Sequence, residues 1–390
     1  MKLLKHSLKA RVFWLLASVM ALLVSSPLPS LQAQKSRDET RSVTRWEYSD
    51  TDVGLKRRLE TRGTVEFNDD YTDVKSISED GWVIFEEHRD RQSFRYEVRH
   101  DPSGQLTRLF YVNGAARPID DAGRTWLAKF VLDAVRQGGF DAERRVKKIL
   151  SQRGVAGVLA EIDQITGDYA KRIYFEQLIK QGNLDATALR DVLRQMARDI
   201  SSDYEQAQLL TAVAPMLTGK EAAVQPFFDA VATIKSDYER SQVLKKILKQ
   251  GTPSRALLVL VASSTKDISS DYEKAGVLKG VAAVYLDDPT LRELFFQTIA
   301  SIGSDYERRG VLTALVKTKS QSEEVLRLLL DSAAGIGSDY EKATFLVEVS
   351  NVYTGDTRLK SAFLKAVETI KSDYERGRVL SVLLKNKQIG

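Results

Sequence analysis

The chain has 390 residues, of which 43% are hydrophobic and 28% are charged, and it contains no cysteine. The lack of cysteine excludes disulfide bonds, thiolate metal sites and a lipid anchor on cysteine. Residues 1–33 hold four basic residues and no acidic one, so the net charge of +5 falls to +1 without them and gives no reason to expect nucleic-acid binding.

Residues 1–33 are predicted to be a signal peptide. Four basic residues precede an apolar run of 13 residues from Val12 to Val24, and Leu31-Gln32-Ala33 provides a cleavage site. The run is shorter than the roughly 20 apolar residues that a transmembrane helix needs. We therefore expect export to the periplasm or the medium with cleavage near Ala33 and no stable membrane insertion afterwards, and an uncleaved anchor is the alternative. Residues 34–44 are polar and predicted to be a disordered linker.

Residues 45–117 are predicted to form a small antiparallel β domain. Apolar and charged residues alternate with period two, most regularly from Phe94 to Arg99, and turn signals such as Asn113-Gly114 separate the runs. The pattern indicates four to six strands with one buried face. Residues 118–140 carry apolar residues at helical spacing, including Trp126 and Phe130. They are expected to connect the two domains and to cover the sheet.

The strand region offers little catalytic chemistry. Asp69, Asp70 and Asp73 form an acidic turn, but the glycine and distant glutamate of a calcium loop are missing, which favours a solvated turn. His88 and His100 are isolated from other metal ligands and are interpreted as surface residues. No hydrolase, zinc-peptidase or nucleotide-binding motif occurs. We predict no catalytic, cofactor or metal residues.

The sequence Ser-Asp-Tyr-Glu occurs six times at intervals of 34 residues, and Gly167-Asp168-Tyr169-Ala170 is a degenerate copy that precedes them. A fixed period of this length is typical of stacked helix pairs. Residues 168–390 are therefore predicted to form an α-solenoid of about seven helix-pair repeats with a superhelix like that of HEAT or TPR proteins. Residues 141–167 are expected to be a degenerate capping repeat. The complete fold prediction is a two-domain α+β protein.

Each residue of the repeated motif has a predicted structural role. Serine and glutamate form a capping box at the start of a helix, and aspartate complements the helix dipole. Tyrosine is interpreted as a wedge between neighbouring repeats, with its ring between them and its hydroxyl at the surface, and an aromatic ladder that stacks sugars or bases is the alternative. The signature residues are Ser202, Tyr204, Glu205, Ser236, Tyr238, Glu239, Ser270, Tyr272, Glu273, Ser304, Tyr306, Glu307, Ser338, Tyr340, Glu341, Ser372, Tyr374 and Glu375.

A basic residue follows the motif in five copies, at Arg240, Lys274, Arg308, Lys342 and Arg376. The structural interpretation is ion pairing with acids of the next repeat. The functional interpretation is a row that recognises an acidic partner, so these five residues are candidate partner-binding residues.

The chain resembles a family of uncharacterised bacterial exported proteins with Ser-Asp-Tyr-Glu helical repeats. The resemblance covers nearly all of the chain after residue 33, and it rests on the repeated motif with its following apolar pair, on Gly63 to Asp70 and on Tyr111 to Gly114. Some relatives are fused to a membrane zinc peptidase of the beta-lactam-sensor type. This chain lacks the zinc motif, so the resemblance implies sensing or scaffolding in the cell envelope and no catalytic residue.

The resulting hypothesis is a non-enzymatic exported scaffold or sensor that binds a protein or peptide, without cofactor or nucleic acid. The alternative is glycan or lipid binding by the β domain, which exposed Trp82 and Phe85 would favour. An enzyme is a third class for which no residue spacing in the chain provides a reason.

Overall fold

The computed structural model describes residues 43–249, 253–285, 288–318, 322–352 and 357–385. The predicted signal peptide and most of the predicted linker lie outside these residues. An antiparallel sheet comes first along the chain and fifteen α-helices in a repeated arrangement follow it within the described residues. The chain divides into two compact units: one contains residues 1–63 and 80–118, and the other contains residues 64–79 and 119–390.

The first unit contains a six-stranded sheet whose neighbouring strands are all antiparallel, in the order β1-β2-β5-β6-β7-β8. Its strands are β1 (Val43–Asp50), β2 (Leu55–Arg62), β5 (Trp82–Arg89), β6 (Gln92–His100), β7 (Leu106–Val112) and β8 (Ala115–Arg117). The predicted antiparallel sheet is thus confirmed. Its first strand begins at Val43, inside the stretch predicted to be a linker.

One face of this sheet is mostly apolar, as the period-two pattern predicts, and also holds the buried ion pair of Arg57 and Glu87. A row of buried side chains crosses five strands in register: Trp46, Leu59, Phe85, Tyr96 and Phe110. The opposite face carries arginines and glutamates that alternate across the strands. Glu86 pairs there with Arg58 and Arg95. Cross-strand pairs of opposite charge stabilise a sheet. Covering of the sheet by the first helix stays a prediction.

The second unit begins with a hairpin that the sequence pattern had placed with the other strands. Its strands are β3 (Val65–Phe67) and β4 (Val74–Ile77). The hairpin contacts α2 (Ala142–Ile162): Lys148 Nζ donates to the carbonyl oxygen of Asp69 at 2.6 Å, and the Arg145 guanidinium lies 4.7 Å from the centre of the Tyr71 ring. Segment 64–79 is therefore held by helix side chains as well as by its own strand pairing.

The predicted helix between residues 118 and 140 is confirmed as α1 (Asp121–Gly138), with Asp120 as its N-cap. In α2 the backbone of Gly154 has a φ of 62°, so two helical segments meet there in the stretch predicted to be a degenerate repeat. The 34-residue repeats follow as helix pairs. Their first helices are α3 (Asp168–Gln181), α5 (Asp203–Val213), α7 (Asp237–Leu248), α9 (Asp271–Tyr285), α11 (Asp305–Val316), α13 (Asp339–Val352) and α15 (Asp373–Lys385).

The second helices of the pairs are α4 (Ala186–Asp199), α6 (Glu221–Thr233), α8 (Arg255–Lys266), α10 (Pro289–Ala300), α12 (Glu323–Ala334) and α14 (Thr357–Glu368). First helices pack against the first helices of adjoining repeats, and second helices against second helices. The apolar stripes meet between the two layers, where Phe227, Phe295 and Phe363 are at most 1% exposed. Because each helix buries one stripe only, its other face stays at the surface.

Candidate functional site

The aspartate of each repeated motif connects one repeat to the next. Its carboxylate accepts a hydrogen bond from the backbone N–H of the serine that caps the following first helix. The bond recurs at six consecutive junctions between first helices, at 2.7–2.8 Å: Asp168–Ser202, Asp203–Ser236, Asp237–Ser270, Asp271–Ser304, Asp305–Ser338 and Asp339–Ser372. The aspartates lie in the first helical turn, where the dipole favours them, but they also hold the next helix start in place.

The predicted capping box is half right. In all six copies the serine hydroxyl accepts a hydrogen bond from the backbone N–H of the motif glutamate at 3.3–3.4 Å. The prediction of a reciprocal bond, from the serine N–H to the glutamate side chain, is wrong because the serine N–H donates to the aspartate of the preceding repeat. The glutamates instead bind bases of the preceding repeat in four pairs: Glu205–Arg172, Glu273–Lys245, Glu307–Lys279 and Glu341–Arg309.

The row of bases predicted to pair with acids of the next repeat binds mostly backbone carbonyls instead. Arg240 donates to the carbonyl oxygens of Ile234 and Asp267, and Arg308 donates to those of Ile302 and Gly335. These carbonyls follow second helices, whose last carbonyls have no partner within the helix. A cationic side chain at a helix C-terminus also complements the dipole.

The other three bases of the row are also held within the chain. Lys274 and Lys342 are 5% and 4% exposed, and they donate to Ser301 Oγ and to the Thr369 carbonyl. Burial lowers the pKa of Lys342. Arg376 pairs with Asp373 of its own helix. The bases thus join neighbouring elements, which leaves their proposed use in partner binding without support from the geometry.

The prediction that the motif tyrosines are wedged between repeats is wrong. Six of them are among the most exposed large hydrophobic residues of the described chain, at 56–78%: Tyr204, Tyr238, Tyr272, Tyr306, Tyr340 and Tyr374. We call these six residues the tyrosine row. All of them lie in the first turn of a first helix, 34 residues apart. The 34-residue interval at which the first helices begin is therefore also the interval at which an exposed aromatic ring recurs.

A groove of about 350 Å³ lies beside the tyrosine row between α5 and α7. Tyr204, Ala207, Gln208 and Thr211 line it from α5, and Tyr238, Glu239, Gln242, Lys245, Lys246 and Lys249 line it from α7 and its end. The groove contains both signs of charge. Glu239 lies near the start of α7, whereas the exposed Lys246 and Lys249 lie near its end.

Glu239 differs from the other motif glutamates because its side chain has no ionic or hydrogen-bonded partner among the described residues. Partial burial and the carboxylate of Asp203 raise its pKa. The corresponding bases of other junctions, Arg172 and Lys245, are replaced at this one by Ala207 and Thr211. The sequence does contain a signal for this difference: four and eight residues after the motif aspartate, this repeat has neutral residues where other repeats have a base. The signal was missed because the expected capping box assigned a backbone partner to every motif glutamate.

The sheet does not expose Trp82 and Phe85 together, the arrangement that would favour ligand binding by the β domain. Phe85 is fully buried and its ring lies 6.2 Å from that of Tyr96, while Trp82 is half-buried. His88 is exposed, and His100 Nδ1 lies 2.9 Å from the Gly104 carbonyl oxygen. Across residues 43–385, omitting the gaps, no cluster of three or more acidic or histidine side chains is placed to hold a metal, and no helix is long and apolar enough to cross a membrane.

Comparisons with known proteins assign no family to the chain. No protein-family model matches it, and no curated protein matches it. One solved structure, described as a computationally designed self-assembling cyclic protein homooligomer, shares 12% identity with a TM-score of 0.13. That match covers 66% of this chain and 92% of the designed one.

Proposed function

We propose that the helical repeats form a solenoid scaffold that binds a peptide segment of a protein partner along the tyrosine row. The observation that carries the proposal is the regular exposure of the six tyrosines. Tyrosine supplies a large apolar ring and a hydroxyl group at a small entropic cost, and it is enriched where proteins bind other proteins. Core packing does not explain an exposed ring in these six repeats, because the ring contributes little to the buried core; Tyr306 and Tyr340 each contact an arginine of the chain and still stay 60% and 58% exposed.

The spacing of the tyrosine row supports a peptide as the ligand. Neighbouring packed helices lie roughly 8–10 Å apart, which matches about three residues of an extended chain at ~3.3 Å each. An extended segment that crosses the first helices therefore presents a side chain to each repeat at a constant interval. The binding free energy is then divided among several similar contacts.

The test is selection of random displayed peptides on the intact protein, followed by affinity measurement. Replacing Tyr204, Tyr238 and Tyr272 together by serine should weaken a selected peptide by more than about tenfold, because loss of one central interface tyrosine commonly costs more than ~1 kcal/mol. The matched control replaces exposed residues of three second helices, Gln225, Gln297 and Arg327, by serine. Equal affinity of the two triple variants for the peptide would reject the tyrosine row as the binding surface.

We also propose that the protein acts after export and without catalysis. The basic and apolar pattern of residues 1–33 supports export. Mass spectrometry of the protein recovered from the bacterial envelope should find an N-terminus close to Gln34, and an intact Met1 would contradict cleavage. Incubation with the selected peptides should leave them chemically unchanged, whereas cleaved or modified peptides would contradict a purely binding role.

A further inference from the structure

Arginine side chains of this chain show how a guanidinium is bound at junctions between first helices. Arg172 lies over the ring of Tyr169, with its Cζ 5.3 Å from the ring centre, and pairs with Glu205 of the next repeat. Arg309 repeats the arrangement 5.1 Å above Tyr306 and pairs with Glu341. The tyrosine of one repeat and the glutamate of the next therefore bind a guanidinium between them.

At a third junction the guanidinium comes from the helix that also carries the glutamate, not from the helix that carries the tyrosine. Arg378 belongs to α15, yet its Cζ lies 5.3 Å from the ring centre of Tyr340 on α13, and its Nε lies 2.8 Å from the Glu375 carboxylate. The two remaining junctions that have a base use lysine, with Lys245 on Glu273 and Lys279 on Glu307. Five of the six motif glutamates thus have a base nearby, supplied from three different repeat positions.

At the α5–α7 junction all three of those positions carry neutral residues. Ala207 corresponds to Arg172 and Arg309, Thr211 to the two lysines, and Gln242 to Arg378. These three residues line the groove together with Tyr204 and Glu239. The groove therefore keeps the aromatic ring and the carboxylate that bind a guanidinium elsewhere, while no base of the described chain reaches them.

We propose that the α5–α7 groove binds an arginine side chain of the peptide, between the ring of Tyr204 and the carboxylate of Glu239. This inference rests on the proposed peptide binding and defines one specificity position within it. Arginine suits the position better than lysine because its flat guanidinium stacks on a ring and pairs with a carboxylate at the same time. The ligand replaces the arginine that other junctions take from the chain itself.

The test uses peptides selected on the intact protein and their citrulline counterparts, which keep the shape of arginine without its charge. Replacing arginine by citrulline should weaken binding of the peptide to the unaltered protein by roughly tenfold or more, as expected for a charged hydrogen bond combined with a ring contact. Glu239→Gln should remove most of this difference. Ala207→Arg should remove it as well, because it places an arginine of the chain where Arg172 and Arg309 stand. Glu348→Gln on α13 is the control and should leave the difference unchanged.

The outcomes separate this inference from the proposed function. If citrulline peptides bind as tightly as arginine peptides, or if Glu239→Gln leaves their difference intact, the arginine site is wrong. Peptide binding along the tyrosine row still stands in that case, provided that the triple tyrosine variant weakens it by more than about tenfold. If no peptide binds the natural sequence, both proposals fail. Circular dichroism and the urea midpoint show whether each variant is folded, and Glu239→Gln serves alone if Ala207→Arg does not fold.

Discussion

The Oδ2 atom of Asp237 accepts a hydrogen bond of 2.7 Å from the backbone N–H of Ser270, a residue in the next repeat. Because the Ser270 hydroxyl in turn accepts from the Glu273 N–H, one aspartate positions a capping group for the following helix. The motif therefore stabilises the junction between repeats as well as the helix in which it lies. The motif tyrosines are exposed in all six copies.

Removal of one connecting aspartate should destabilise the repeats. Asp271 accepts hydrogen bonds from the backbone N–H groups of Gly303 and Ser304 at 3.0 and 2.7 Å. Asp271→Ala should lower the free energy of unfolding by about 1–3 kcal/mol, measured by urea titration, because two backbone donors lose a charged acceptor.

The control for this change is Asp373→Ala. Asp373 occupies the same place in the last repeat, and the described chain provides no later helix start for it. Both variants lose the same interaction with a helix dipole, and Asp373→Ala also loses an exposed ion pair with Arg376 that is worth less than about 1 kcal/mol. A larger loss of stability in Asp271→Ala therefore reports the bonds between repeats. Equal losses of stability in the two variants would show that the aspartates act only within their own helices.

Acid should remove the contribution of Asp339. Hydrogen bonds from the backbone N–H groups of Ser372 and Lys371 hold the pKa of this carboxyl below its usual value of 3.8. A depressed pKa in the folded state stabilises the protein above the unfolded pKa, and the contribution is lost as the pH falls through the folded pKa. Asp339→Ala should thus be less stable than the natural sequence at pH 6, and the gap should narrow at about pH 3. A gap of constant size in urea titrations at the two pH values would contradict this.

The tyrosine row should contribute little to folding. Tyr272 is 69% exposed, whereas Phe295 of the neighbouring helix α10 is completely buried. Tyr272→Ser should change the free energy of unfolding by no more than about 0.5 kcal/mol, while Phe295→Ala should cost about 3–5 kcal/mol through the cavity that it leaves. Thermal and urea unfolding of both variants provide the comparison. A loss for Tyr272→Ser close to that of Phe295→Ala would restore the wedge interpretation.

The bases that follow the motif should contribute more to the free energy of unfolding in the middle of the repeats than in the last repeat. Arg308→Ala should cost about 1–3 kcal/mol, because the carbonyl oxygens of Ile302 and Gly335 lose a charged donor. Arg376 occupies the same repeat position but pairs with an exposed aspartate, so Arg376→Ala should cost less than about 1 kcal/mol. Scanning calorimetry distinguishes the two variants. A larger loss for Arg376→Ala would contradict the assignment.

Much of the fold follows from local patterns. Alternation from Phe94 to Arg99 predicted a strand, and the serine before each apolar stripe predicted a helix start; both features depend on neighbouring residues only. The placement of the hairpin at residues 64–79 was not predictable in this way. It depends on side chains such as Lys148 and Arg145, which are about 75 residues away along the chain and have no local signature.

The candidate site was less predictable than the helices that carry it. The repeated tyrosine was visible in the sequence, but its exposure depends on the angle between neighbouring helices, which period and composition do not determine. The unpartnered Glu239 depends on a comparison across a junction, with Ala207 on one helix and the carboxylate on the next. The geometry of the other junctions is needed to show that a neutral residue at this position leaves the carboxylate without a base.

Photochemical cross-linking tests the central claim, peptide binding along the tyrosine row, most directly. Benzoylphenylalanine placed at Tyr238 or at Tyr306 should capture a selected peptide on irradiation, and excess unlabelled peptide should suppress the product. The same residue placed at Arg327, which is exposed on α12, should not capture it. Capture at both tyrosine positions and not at Arg327 is the predicted result. Absence of the product at both tyrosine positions, or equal capture at Arg327, would contradict the account.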